Sequence, residues 1–170
     1  MELWDLLDSE RNPLGRTMVR GQPVPSGEYH LVVEIWTYNS RKEILLTKRH
    51  PAKESYPNYL ENSGGSALAG ETSKQAAVRE LYEETGIPVH EDDLVFLDSC
   101  RETSAFHDTY AVKKDIEISA LTMQEGETVS AQWVTMKELD ELIKNGKVAL
   151  PVVQRFEACR GMLETLVLGG

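Results

Sequence analysis

The sequence predicts an α+β fold, an α/β/α sandwich in which helices cover both faces of a mixed β-sheet. Runs of β-branched and aromatic residues recur along the chain between turn residues, as strands require. Glu71–Thr85 places its apolar residues at helical spacing, and two further helical segments follow late in the chain. No repeat, low-complexity tract or long linker divides the sequence, so one domain over residues 1–170 is expected.

Residues 1–29 read as an irregular N-terminal extension. Leu3–Leu6 has the character of a short strand, and Asp8, Asn12-Pro13, Gly15 and Pro25-Ser26-Gly27 mark turns. His30–Asn39 (HLVVEIWTYN) is a strand, Asn39-Ser40 a turn, and Glu43–His50 (EILLTKRH) the second arm of a hairpin. Residues 52–64 are loop-like with at most a short strand. After the Glu71–Thr85 helix come strands at Leu94–Cys100, Thr109–Ile118 and Ser130–Thr135, then helices near Met136–Lys144 and Val152–Leu166.

Composition narrows the function classes. Apolar residues make up 41% and charged residues 27% of the 170, which is ordinary for a globular protein. The net charge of -10 repels polyanions, so neither a long nucleic acid nor an anionic membrane is an expected partner. A small phosphate compound is compatible with that charge, because bound divalent cations invert the local field. The two cysteines, Cys100 and Cys159, have neither zinc-site spacing nor a supporting histidine cluster, and read as reduced core thiols. The acidic start of the chain lacks signal-peptide character, so a cytoplasmic location is expected.

The chemistry concentrates in Gly65–Ile87, GSALAGETSKQAAVRELYEETGI. At about 100° per residue, Ala77, Val78, Leu81, Tyr82 and Thr85 share one stripe of the helix, and Glu80, Glu83 and Glu84 share the opposite side, expected to face outward. Three carboxylates at such spacing repel one another. A hard dication reverses that cost, since magnesium and manganese prefer carboxylate and water oxygens. For the three glutamates alone, a solvated acidic face is the stronger reading. Gly64-Gly65 before the helix, where backbone can approach a ligand and lend a carbonyl, and Gly86 as a helix C-cap shift the balance toward a metal site.

The full pattern is Gly65, five residues, Glu71, seven residues, Arg79-Glu80-Leu81, Glu83-Glu84, then Gly86-Ile87. It is identified as the complete Nudix box, and the resemblance extends from Trp4–Asp8 through Tyr29–Trp36 and Ile44–His50 to the strand containing Gln132–Val134. It resembles most the bacterial branch of Nudix proteins related to isopentenyl-diphosphate isomerase. The resemblance implies a Nudix-type sandwich in which Glu80, Glu83, Glu84 and the Gly65 carbonyl hold Mg2+ or Mn2+, with Glu80 or Glu83 as general base. It further implies a pyrophosphohydrolase acting on a small organic diphosphate, foremost a nucleoside diphosphate derivative, in a chain that can form a homodimer.

Family members recruit a further carboxylate shortly before a Trp-containing strand. Glu127 fits that place as an extra metal ligand or base, with Glu125 as its competitor and an exposed turn acid as the alternative. Arg79 is expected to orient the glutamates through salt bridges, and Glu71 to sit at the helix start, where the macrodipole favours it. Lys48 and Arg49, ending the second strand, are candidates to meet phosphate oxygens; a solvated pair is the alternative. His30, His50, His90 and His107 show no metal spacing and read as ordinary packed or surface histidines, and Asp108 reads as a turn residue.

Two rival functions are weighed against hydrolysis. Isomerase chemistry in the family uses a cysteine in an NTCCSHP-like segment, whereas Tyr56–Gly65 (YPNYLENSGG) here has neither cysteine nor histidine. A non-catalytic nucleotide-binding module of the same fold is expected to have lost box glutamates, and none is missing.

Overall fold

The structure is a computed structural model and describes residues 1–169. Its elements are strands β1 (Leu3–Leu7), β2 (Pro13–Val19), β3 (His30–Tyr38), β4 (Glu43–Arg49), β5 (Leu60–Glu61), β6 (Ser63–Ser66), helix α1 (Ser73–Thr85), strands β7 (Val95–Arg101), β8 (Ala105–Lys113) and β9 (Thr128–Thr135), and helices α2 (Met136–Lys144) and α3 (Leu150–Leu168). The mixed sheet runs β5-β4-β3-β8-β7, with β6 added to β3 and β9 to β4.

Strand β3 is the hub. It pairs in parallel with β8 along its whole length, from His30 opposite Ala105 to Tyr38 opposite Lys113. Nearly every residue of β3 and β8 is buried, as expected of central strands covered on both faces. The expected β3–β4 hairpin closes only at its turn, where Tyr38 faces Ile44. Beyond it the arms part because each finds a better neighbour: β6 takes Val32–Ile35 of β3, and β9 takes β4 from Glu43 to Arg49.

Alternation along β3 sends its side chains to two cores. Val33 and Ile35 pack with Ala76, Ala77 and Leu81 of α1, whereas Trp36 packs with Leu139 of α2 and Phe156 and Leu163 of α3. Glu34 shares parity with Trp36 and meets α3. Helix α1 starts at a capping box between Thr72 and Gln75 and ends at Gly86, whose φ of 74° only glycine adopts freely. Among the described residues, no helix is long and apolar enough to cross a membrane.

Residues 1–29 are more ordered than expected. Strands β1 and β2 form a separate antiparallel sheet, closed by a turn in which the Asp8 carboxylate accepts from the amides of Glu10 and Asn12. The hairpin docks through Trp4 stacked on His30 at 4.1 Å and through the Arg11 guanidinium on the Asp108 carboxylate. Asp108 is therefore no turn residue. It is buried in the middle of β8 and also accepts hydrogen bonds from Ser73 (2.5 Å) and Ser99 (2.7 Å).

His107, beside it on β8, is buried, and its imidazole pKa is pushed down to about 4 by desolvation and then by the Arg155 charge, against the opposing pull of Glu102. The unfolded chain binds this proton near pH 6.5, so the neutral ring supports the fold fully above that pH and progressively less as pH falls toward 4. Between pH 8 and pH 5 this one group should remove about 2 kcal/mol of stability. Urea titrations at the two pH values should show that loss shrinking in His107→Gln; an equal loss in the variant would remove His107 from the account.

Candidate active site

Helix α1 turns its acidic side toward β6 instead of toward open solvent. Glu80 and Glu84 are partly buried and Glu83 is exposed, while Tyr82, expected on the apolar stripe, is 59% exposed. Burial raises the pKa of Glu80 despite the Arg79 charge. Glu84 is held well above the ordinary carboxylate range, first by burial and then by the negative charges of Glu61 and Glu80; the Gly64 amide and Ser63 oppose the shift.

Arg79 is hydrogen-bonded across this face. Its Nη1 donates to Glu80 Oε1 (2.9 Å) and Glu83 Oε2 (3.2 Å), and its Nη2 to the Ser66 carbonyl (3.0 Å). Nε and Nη2 grip the two oxygens of Glu71 at 2.7 and 2.9 Å. Glu71 itself precedes the Thr72 N-cap, outside the first helical turn where the macrodipole would act; it makes the Arg79 contact that the box pattern also permits and accepts from the Leu68 amide (2.8 Å). A lysine cannot span these partners with one ammonium group, so Arg79→Lys should lower turnover by about 10–100-fold, read as kcat at saturating metal. Wild-type kcat in the variant would show that the glutamates position themselves.

Gly65 on β6 supplies the complementary surface. A Cβ there would sit 2.4 Å from Glu80 Cδ, so the missing side chain is what lets this carboxylate lie against the backbone. Among the described residues, no three His, Cys, Asp or Glu side chains already converge on one point suited to a metal ion. The cause is visible: Glu80 and Glu83 are engaged by Arg79, and Glu84 by the Gly64 amide at 3.3 Å. The donor set itself fits a hard dication: three carboxylates crowd against Gly65, and the cations beside them, Arg79 and Arg20, do not offset the burial that raises the Glu80 and Glu84 pKa values.

These residues border two adjoining pockets that share Arg20, Gly64, Gly65, Glu84 and Glu127 in their linings. One, about 100 Å³, lies against Glu80, Glu83, Glu84, Gly65, Gln124 and Glu127. The other, about 250 Å³, is also bordered by Arg49, Lys53, Glu61, Asn62, Glu34 and Arg155. Glu127 lines both pockets and is ion-paired with Lys53, whereas Glu125 is exposed and lines neither. Arg49 faces the larger pocket but is already paired with Glu61 at 2.9 Å. Lys48, on the next residue of β4, lines neither pocket.

Sequence reasoning missed Arg20, Lys53, Arg155, Glu34, Glu61 and Asn62. Glu34 and Arg155 each left a readable signal, a charge interrupting an apolar strand or helix face. Arg20 had none, because its place depends on how the N-terminal hairpin docks. No cysteine or histidine lines either pocket among the described residues: Cys159 is packed in the α3 core and Cys100 lies on β7.

Comparison with known proteins agrees with the residue pattern. The NUDIX domain model matches residues 28–156. An uncharacterized Nudix hydrolase of Listeria monocytogenes is 40% identical over 148 residues, covering 86% of this chain and 88% of the relative. A prenyl-diphosphate phosphatase of Methanosarcina mazei is 30% identical over 122 residues, covering 70% and 72%. Isopentenyl-diphosphate isomerases stand among the more distant relatives. A crystal structure from Deinococcus radiodurans, at 24% identity, superposes with a TM-score of 0.76 over 93% of this chain and 99% of its own, showing the same α+β fold. Box, fold and relatives together place the chain in the Nudix hydrolase family.

Proposed function

We propose that the protein hydrolyses the phosphoanhydride bond of a small organic diphosphate in the presence of Mg2+ or Mn2+. The observation that carries this reading is the adjoining pair of pockets: the α1 carboxylates Glu80, Glu83 and Glu84 line one, and Glu84 also lines the other, together with Arg20, Lys53 and Arg155.

In this reading Glu80, Glu83, Glu84 and the Gly65 carbonyl hold the metal, with Glu127 as a further ligand once released from Lys53. The bound cation supplies charge neutralisation of the diphosphate and a lowered pKa for water. Glu80 or Glu83 takes the proton as the water oxygen bonds to phosphorus and the bridging P–O bond breaks. Arg20 and Lys53 meet the non-bridging oxygens, and the leaving group departs as a phosphate. Lys48 lines neither pocket, and Arg49, which borders one of them, is paired with Glu61. Retention of every box glutamate and the absence of a cysteine from both pockets weigh against a non-catalytic module and an isomerase, respectively.

The test is release of phosphate or monophosphate from a panel of nucleoside diphosphate derivatives, nucleotide sugars and, given the Methanosarcina relative, prenyl diphosphates, with Mg2+ or Mn2+ against EDTA. Metal-dependent release supports the proposal. Folded protein that binds Mn2+ yet turns over nothing across the panel overturns it.

A further inference from the structure

Leu3 at the start of β1 and Val19 at the end of β2 face each other across the N-terminal hairpin. One step further out stand Glu2 and Arg20. The Arg20 amide donates to the Glu2 carbonyl at 3.0 Å, and Arg20 Nη1 donates to Glu2 Oε2 at 2.7 Å. Both residues border the pocket of the α1 glutamates, and Arg20 borders the larger pocket as well. The hairpin thus presents its open end to the proposed site.

This end is fixed to the Nudix box itself. The Leu3 carbonyl accepts from the Ala69 amide at 2.8 Å, and Asp5 Oδ2 accepts from the Gly70 amide at 2.7 Å. Ala69 and Gly70 lie in the loop that carries Glu71, the partner of Arg79. Arg20 is therefore held in one frame with the α1 glutamates. The Glu2–Arg20 pair does little for the fold, because the two side chains are 48% and 58% exposed and solvent-exposed pairs contribute little stability. As a charge, Glu2 opposes a diphosphate. What the pair does supply is orientation: Glu2 takes Nη1 and leaves the Nε–Nη2 edge of the guanidinium to grip two phosphate oxygens.

We infer that Glu2 is a positioning residue for the diphosphate: it fixes the Arg20 guanidinium beside the α1 glutamates so that its Nε–Nη2 edge meets the phosphate oxygens, and by this route the N-terminal hairpin is part of the active site. This rests on the proposed hydrolysis only for the place of the diphosphate. An unheld arginine loses its rotamer freedom when it engages a ligand, and Glu2 removes that cost in advance. The sign of the effect separates this role from a plain field effect. Deleting a carboxylate near a polyanion strengthens binding if charge alone matters, and weakens it if Glu2 orients Arg20.

The experiment measures kcat and KM for ADP-ribose, CDP and isopentenyl diphosphate, and calorimetric binding of methylenediphosphonate with Mg2+, in wild type, Glu2→Gln, Arg20→Ala, Arg20→Lys and the Glu2→Gln/Arg20→Ala double variant, with a thermal melt of each. Glu2→Gln should raise KM and the diphosphonate Kd by about 3–10-fold, the immobilisation cost of one long side chain, with kcat nearly unchanged. Its Tm should match wild type, because the pair is exposed. Arg20→Ala should raise both constants further, and adding Glu2→Gln to it should raise them no more. Arg20→Lys keeps the charge but not the planar fork, and should weaken binding as Glu2→Gln does.

Unchanged or lower KM and Kd in Glu2→Gln would overturn the inference while leaving hydrolysis intact, as would an equal rise in the Arg20→Ala background, which would place the action of Glu2 elsewhere. If wild type turns over none of the compounds, hydrolysis fails and calorimetry decides the inference alone: weaker diphosphonate binding in Glu2→Gln supports it, and equal or tighter binding overturns it. Wild type that binds no diphosphonate overturns it too. Should Glu2→Gln melt early, Arg20→Lys carries the test: weaker binding supports the inference, and binding equal to wild type overturns it.

Discussion

Glu84→Gln is expected to lower metal-dependent kcat by more than about 100-fold while leaving the metal-free protein as stable as wild type, or slightly more so. The first half follows from position: partners that merely orient a metal ligand cost about 10–100-fold when removed, and Glu84 is proposed to touch the metal itself. The second half follows from electrostatics. Glu84 is a carboxyl whose pKa burial and the neighbouring Glu61 and Glu80 raise well above the usual range. The folded state therefore holds this proton longer than the unfolded chain does. Stability contributed by the site is fully present at low pH and is lost as pH rises from the ordinary carboxylate pKa toward the raised one. At neutral pH the glutamine removes that penalty, and its carbonyl can still accept from the Gly64 amide. Initial rates across a Mg2+ titration, paired with urea melts in EDTA, check both halves. Wild-type turnover at saturating metal would remove Glu84 from the ligand set; loss of turnover with an equal loss of stability would assign the effect to folding.

What could be read from the sequence, and what could not, divides along physical lines. The family and its α+β fold were legible because the Nudix box combines helix-capping residues, small residues and carboxylates at fixed spacing. Local signals also served well: Met136–Lys144 is a helix as read, capped by Thr135 and Glu138, and Gly86 ends α1. Failures arose where tertiary placement overrides local pattern. The α1 glutamates face β6 because Gly64 and Gly65 leave room there, which helical periodicity alone cannot report. Strand β2 was missed because PLGRTMV is mostly exposed and lacks alternation. Asp108 was assigned to a turn because the partner that makes it tolerable inside β8, Arg11, comes from 97 residues away.

Gly65 and Gly64 offer a way to separate chemistry from folding with two methyl groups. Neither has a positive φ, so neither is needed for backbone freedom; what matters is the absent Cβ. At Gly65 that Cβ would fall 2.4 Å from Glu80 Cδ and 2.5 Å from both carboxylate oxygens. The obstructed atoms are the end of a flexible side chain, which can swing aside, so Gly65→Ala should cost the fold about 1 kcal/mol or less. The displaced carboxylate is one of the proposed metal ligands, and misplacing a reacting group by about 1 Å can cost 100-fold in rate. At Gly64 the Cβ would fall 2.4 Å from the Val33 carbonyl oxygen and 3.2 Å from Glu34 Cα. Those are backbone atoms of β3, which cannot yield without parting β3 from β6, so Gly64→Ala should cost about 1–3 kcal/mol or more. Thermal melts and kcat measured side by side should give opposite signatures: a folded, nearly inactive protein for Gly65→Ala and a destabilised one for Gly64→Ala. A fully active Gly65→Ala would mean that Glu80 works from some other position, and the general base would then have to be sought at Glu83.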